Sequence, residues 1–374
     1  MDPSVIDVME RSMRMHYANP SSTVHSAGVN AFNAVESART IIAKAIGART
    51  TEILFCSGST EANNLALIGT LPLLKSKGKN HIITTSIEHP SVLEPLNYLQ
   101  SSHSVRVTYL PVDETGRINP SDIEEAITEN TGLISVMSAN NETGIYQPLE
   151  EVGQICTNRN VLFHSDYSQA TAFRPLDVIK LGLHLVSISG HKMYGPKGIG
   201  VLYRRLRKPH VKLSAILHGG GQELGLRSGT LNTPAIIAFG EAFKLVSKHQ
   251  AKDNMQLLAL RAKLLEKLTS IPGLRVNGDI SFSLPNTLSI SVQGIEPLAL
   301  TRILRDKLIF SASSACSTEK VETSYVLQAM FGDTHRARTG FRLGFGRGTS
   351  ETDIDNTAKV LADGIAKLRS GQIG

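Results

Sequence analysis

Between about residue 50 and residue 205 the chain alternates two hydrophobic patterns. Short, nearly continuous apolar runs are followed by longer stretches in which apolar residues recur every three or four positions. The first kind reads as buried strand and the second as amphipathic helix. "EILFCSG" (52–58) predicts a strand, and "STEANNLALIGTLPLLKSKG" (59–78) a helix that opens on Ser59 or Thr60 with Glu61 in its first turn. The alternation continues with strand "HIITTSI", helix "PSVLEPLNYLQ", strand "VRVTYLPV", helix "SDIEEAIT", strand "TGLISVMSA", helix "LEEVGQICTNRN" and strand "VLFHSDYS". Two further strands, "HLVSISG" and "GIGVLYRR", close the series. Such an order predicts an α/β fold, a mostly parallel central sheet with helices on both faces. "GEAFKLVSKHQ" and "DNMQLLALRAKLLEKLTSI" are long helical patterns that lead away from it. "NTLSISVQG", the segment "FSASSACSTEK" and the last helix "DIDNTAKVLADGIAKL" read as a smaller α+β domain. The expected division is a large domain over residues 12–248 and a small one over 249–374, with 1–11 packed on the small one.

Composition narrows the classes. A hydrophobic fraction of 41% is ordinary for a globular protein. Three cysteines without CxxC spacing exclude a disulfide framework, argue against a structural zinc site and fit a reducing compartment. The first twenty residues hold no apolar signal core, and no apolar run is long enough to span a membrane. A cytoplasmic location without membrane contact is the expectation. The net charge of +6 is mildly basic, with its densest cluster in "YRRLRKPHVK" (203–212). That cluster reads first as a solvated turn and leaves direct nucleic-acid binding open.

In open α/β sheets ligands bind beyond the carboxyl ends of the strands. After the first strand comes Ser57-Gly58-Ser59-Thr60, a small-residue turn opening a helix, whose backbone N–H groups suit a phosphate. Later strand ends deliver Glu88 and His89; Asn140, Asn141 and Glu142; Asp166 with Gln169 one turn on; and Ser189, Gly190, His191 and Lys192. Taken singly, a small-residue turn is an ordinary helix cap, Asp166 an ordinary strand-end cap, His89 a structural histidine and Lys192 a surface lysine. Their conjunction on one rim matches the needs of pyridoxal phosphate: an amine for the aldehyde, an acid to keep the pyridine nitrogen protonated, a ring to cover its face and a phosphate cup. Asp166 suits the nitrogen. Lys192 suits the aldehyde, with Lys197 the other nearby amine.

The motifs "SISGHKMYGPKGIGVLY", "SGSTEANNLAL", "SIEHPSVLEP", "NNETGIYQPLEEV", "FHSDYSQA", "HGGGQELGLRSGTLN" and "SSACST" together resemble the cysteine desulfurases, fold type I pyridoxal-phosphate enzymes of the class V aminotransferase group. The likeness runs from about residue 3 to the end, with the blocks in the family's order. The Cys316 segment is similar to the longer-loop subgroup typified by the housekeeping and nitrogen-fixation desulfurases. The resemblance implies that Lys192 carries the cofactor, Asp166 pairs with its ring nitrogen and Gln169 with its ring hydroxyl, and His89 stacks on the ring. It implies Ser59 or Thr60, Ser189 and His191 at the phosphate, joined by Thr230 from the neighbouring subunit of a homodimer. Asn141 and Arg342 would bind the substrate amino acid, Arg342 at its carboxylate. The family's usual opening strand, of the type "YLDNNATTP", would come just before Met1-Asp2-Pro3, so either the true start lies upstream or the segment is missing.

The reaction so implied converts L-cysteine to L-alanine. Lys192, helped by His89, takes the α-proton, and the thiolate of Cys316 takes the sulfur as a persulfide for a protein acceptor or scaffold. Because a free thiol is mostly protonated at neutral pH, Cys316 must lose a proton, with His89 the candidate base. Cys56 and Cys156, on apolar faces, read as packing. The rival readings are a selenocysteine lyase, an ordinary class V aminotransferase, and a scaffold without activity.

Overall fold

The computed structural model describes residues 1–312 and 323–371, which divide into two compact units. Unit 1 comprises Met1–Leu110, Pro120–Ser138 and Pro148–Gln250; unit 2 comprises Pro111–Asn119, Ala139–Gln147 and Ala251–Gly374. This differs from the expected division in two respects. Residues 1–11 belong to unit 1, where the Asp2 N–H donates to Tyr194 O at 2.9 Å and Val5 is fully buried. Residues 111–119 and 139–147 belong to unit 2. There the Gln147 amide accepts from Ile118 N–H and donates to Gly116 O, and Ile145 bridges to Ser283.

Unit 1 is built on seven strands: β1 (Ile53–Cys56), β2 (His81–Thr85), β3 (Arg106–Leu110), β4 (Thr131–Ser135), β5 (Leu162–Asp166), β6 (Leu185–Ser189) and β7 (Gly200–Arg204). Their order is β1-β7-β6-β5-β4-β2-β3. The five strands from β6 to β3 are parallel, and β7 runs antiparallel to both β6 and β1. Helices α1 (Pro3–Met15), α2 (Ser26–Ala45), α3 (Ser59–Ser76), α4 (Pro90–His103), α5 (Pro120–Ala126) and α6 (Leu149–Arg159) belong to this unit. Helix α1 starts cleanly because the Asp2 side chain accepts from Ser4 N and Pro3 occupies the first helical position.

Strands β2, β4, β5 and β6 are buried along their whole length, as a doubly covered parallel sheet requires. Their polar residues are satisfied across the sheet. His164 on β5 bonds Ser135 on β4 at 2.8 Å and Ser187 on β6 at 3.1 Å. Burial holds its imidazole down at about 4, so it is neutral.

Helix α7 (Thr233–Leu268) begins in unit 1 and ends in unit 2. The two helical patterns expected there are one element, because no Gly or Pro stands between them. Unit 2 carries an antiparallel sheet ordered β10-β11-β9-β8, from β8 (Leu274–Val276), β9 (Thr287–Val292), β10 (Ser311–Ala312) and β11 (Gly340–Gly344). Helices α8 (Pro297–Leu304), α9 (Tyr325–Phe331), α10 (His335–Arg338) and α11 (Glu351–Arg369) complete it. Its core joins Leu264, Leu288, Ile290, Phe341 and Leu361. Among the described residues no helix is long and apolar enough to cross a membrane.

Candidate functional site

Asp166 closes β5 and is 7% exposed. Its Oδ1 accepts from Ser168 N at 3.0 Å and its Oδ2 from Asn63 Nδ2 at 2.8 Å. Asn63, on the buried face of α3, gives the same Nδ2 to Ser91 Oγ at 2.9 Å. Ser91 Oγ lies 2.8 Å from His89 Nδ1, and the Ser91 N–H donates to that nitrogen at 3.1 Å. Carboxylate, amide, hydroxyl and imidazole thus form one connected chain.

His89 is the N-cap of α4, and its ring performs the capping. Because Nδ1 accepts a backbone N–H, the proton of the neutral ring sits on Nε2. Burial pushes the imidazole below its ordinary value; Asp166 pulls it upward and Lys192 downward. Lys192 ends the short turn Gly190–Lys192 that follows β6 directly. Gln169 lies three residues past Asp166 and is half-buried. Between Glu88 and the strand ends, Oε1 accepts from Thr85 Oγ1 at 2.9 Å and from Met137 N at 2.8 Å. Complete burial, with Asp166 adding to it, raises the Glu88 carboxyl to about 8.

The small-residue turn opens α3 at Ser59, where helical N–H groups converge. Ser189 Oγ lies 2.8 Å from His191 Nδ1, and burial lowers that imidazole, with Lys192 and Lys197 acting the same way. The turn and the Lys192 segment lie close together because Gly200 has no side chain. A Cβ there would come within 2.5 Å of Ile188 O and 2.7 Å of Gly58 Cα. Thr230 is exposed in the segment ahead of α7. That segment is tied to its own chain by Arg227, which donates to Glu61 at 2.8 Å in the first turn of α3. A second tie is Glu223, which accepts two bonds from the buried Arg39 guanidinium.

In unit 2, the Arg342 guanidinium on β11 donates to Asn141 O and, at 3.0 Å, to Ser311 Oγ. Asn141 Oδ1 is buried without a partner among the described residues. Glu142 accepts from Ser324 Oγ at 2.5 Å; burial raises its carboxyl, and Ser324 and Arg342 oppose the rise. Cys316 lies outside the described residues. Cys56 and Cys156 are buried, and burial pushes both thiols up, so neither is a nucleophile.

Asn63 and Ser91 join Asp166 to His89, and sequence reasoning passed over both. Asn63 stands 103 positions from the carboxylate it orients, so no local spacing announces it. The unit 1 set fits pyridoxal phosphate. A buried, oriented carboxylate suits the ring nitrogen, an imidazole with a fixed edge suits its face, and an amine at the strand end suits its aldehyde. A helix start with Ser189 and His191 beside it suits its phosphate.

Comparison with known proteins agrees with this chemistry. The model of the class-V aminotransferase family matches residues 1–357. The cysteine desulfurase IscS of Rickettsia bellii is 44% identical over 370 residues, covering 99% of this chain and 89% of that protein. A mouse cysteine desulfurase is 40% identical, covering 99% of this chain and 80% of its own. Among solved structures, a NifS-like protein superposes with a TM-score of 0.90 at 34% identity, covering 98% of this chain and 96% of its own. SspA in complex with cysteine gives 0.80 at 34% identity, covering 92% and 95%.

Proposed function

The chain belongs to the class-V aminotransferase family and, within it, to the cysteine desulfurases, and we propose that it converts L-cysteine to L-alanine while Cys316 takes the sulfur as a persulfide. The observation that carries the reading is the hydrogen-bonded chain Asp166–Asn63–Ser91–His89, within electrostatic reach of Lys192. Members of this family depend on pyridoxal phosphate. When bound, it supplies an electron-accepting ring that weakens the bonds at the substrate's α-carbon. Asp166 would hold the ring nitrogen, and Gln169 the ring hydroxyl. Ser59, Thr60, Ser189 and His191 would hold the phosphate, with Thr230 reaching it from a second subunit.

His89 Nε2 already carries a proton, so a base at that atom would first have to lose it. The geometry favours His89 as a donor and leaves abstraction of the α-proton to the Lys192 amine. For His89 to take the Cys316 proton, its Nε2 would first have to release its own. Arg342 and Asn141 would bind the amino acid, the guanidinium meeting its carboxylate through paired N–H bonds. At Cys316 an S–S bond forms as the substrate C–S bond breaks. L-cysteine and a thiol become L-alanine and a persulfide, with no external oxidant. That a relative binds cysteine, by its description, supports the choice of substrate.

A homodimer is part of the proposal. Unit 1 has a cavity of about 410 Å³ lined in part by Pro20, Phe32, Leu224 and Leu231, of which Phe32 and Leu224 are 44% and 67% exposed. Apolar exposure at such a cavity suits a subunit interface, and sedimentation of the purified holoenzyme as a monomer would refute it. A reducing, cytoplasmic setting and a protein sulfur acceptor go with the cysteine chemistry. The deciding experiment for activity gives the holoenzyme L-cysteine, L-selenocysteine, and an amino acid with a 2-keto acid. Alanine release from cysteine with sulfur retained on the protein is the expected result. Amino-group transfer to the keto acid would establish an aminotransferase instead.

A further inference from the structure

At the end of the seven-stranded sheet opposite Asp166 and Lys192, a cavity of about 330 Å³ opens at the start of β4 and β5, just before β6 and just after β7. Lys77, Lys79, Arg159, Arg205 and Lys208 line it, and no Asp or Glu does. Arg159 pairs with Glu124, and Lys79 donates to Glu129 O. Among the described residues, Lys77, Arg205 and Lys208 have no carboxylate partner. Arg205 and Lys208 belong to the basic stretch 203–212, which the cofactor chemistry does not use.

Positive charge at this end of the sheet has a plain structural explanation. Lys77 and Arg159 stand at the carboxyl ends of α3 and α6, where cations offset the helix dipole. Two donors without acceptors are not explained that way. His184, just before β6, is 4% exposed and lines the cavity. Its Nδ1 accepts from Phe163 N at 3.1 Å, which puts the proton of the neutral ring on Nε2. No acceptor meets that N–H among the described residues. Burial, reinforced by Arg205 and Lys77, holds His184 at about 4, so the ring stays a neutral donor. Arg205 Nε is buried without an acceptor. A buried donor left unmade is costly, which makes Arg205 Nε a natural ligand for an anion's oxygens, and the His184 N–H is a second donor without an acceptor in the same lining.

We propose that this cavity binds a phosphate-bearing small molecule, the phosphate meeting His184 Nε2, Arg205 and the lysines. Its organic part lies against Leu74, Val161 and Pro209. The volume is at the small end of ligand pockets. The site does not depend on the desulfurase reading.

The test is calorimetric titration of the cofactor-loaded protein with AMP and with inorganic pyrophosphate; saturating the cofactor's own phosphate cup keeps the probes out of it. Saturable binding of at least one probe, one per chain, is expected, with adenosine inert. The double variant Lys77→Gln/Lys208→Gln alters only exposed side chains and should weaken binding about tenfold or more. In protein labelled with 15N-histidine, the His184 Nε2–H resonance should shift on addition of the probe. The proposal is overturned if neither probe saturates, if adenosine binds as well as AMP, or if the double variant binds as tightly as the parent.

Discussion

Glu88 offers the sharpest test of the electrostatics around the cofactor cradle. It is completely buried next to His89, and Asp166 adds to the effect of burial in raising its carboxyl from 4.5 to about 8. In the unfolded chain the group ionises near 4.5; in the folded chain it stays protonated until about 8. Between those values the folded state holds a proton that the unfolded state has released. The stability contributed by neutral Glu88 is therefore complete below pH 4.5 and is lost as pH rises toward 8. The loss is about 1.4 kcal/mol per pH unit, or about 5 kcal/mol across the whole interval. Glu88→Gln cannot ionise, yet it keeps Oε1 as acceptor for Thr85 Oγ1 and Met137 N. The variant should match the parent in acid and become progressively more stable than it toward pH 8. Urea unfolding of both holoproteins, from about pH 5 to about pH 8, measures this difference. Far-UV circular dichroism is the signal, since the chain has no tryptophan. A difference between parent and variant that stays constant across that range would refute the argument, because Glu88 would then ionise as an ordinary carboxyl.

Asn63→Ala removes the donor to both Asp166 Oδ2 and Ser91 Oγ. Losing a bond to a charged group costs about 1.5–3 kcal/mol, so pyridoxal phosphate should dissociate about ten- to hundredfold more readily. The 15N shifts of the His89 ring should move as well, and an unchanged cofactor affinity would rule out the linked chain. Arg342→Lys replaces a two-pronged donor by a point charge and should raise KM for cysteine about tenfold, with kcat much less affected; equal KM values would remove Arg342 from the carboxylate. A thiol reagent applied to the native protein should label one cysteine per chain, and none in Cys316→Ser. Burial holds the thiols of Cys56 and Cys156 protonated, and reaction at either contradicts that.

The hydrophobic pattern carried the α/β layering well, because fully buried strands such as β2, β4 and β6 leave near-continuous apolar or small-residue runs in the sequence. It carried the antiparallel placement of β7 and the edge position of β1 poorly, since strand order depends on long-range pairing and not on period. The assignment of residues 111–119 and 139–147 to unit 2 was not legible either. It rests on single contacts such as Gln147 to Gly116 and Ile145 to Ser283. At the candidate site, Lys192, Asp166 and His89 could be found because strand ends are where such folds place ligands. Which ring nitrogen of His89 carries the proton could not. It follows from His89 capping α4 with Nδ1, which only the backbone geometry reveals.

The most direct measurement of the central claim is the mass of the holoprotein after brief exposure to one equivalent of L-cysteine, followed by peptide mapping. One added sulfur atom on the peptide containing Cys316, with a matching amount of alanine, is the expected outcome, and Lys192→Ala should show neither. Alanine formed at the parent rate by Cys316→Ser, or added sulfur mapping to Cys56 or Cys156, would contradict the account.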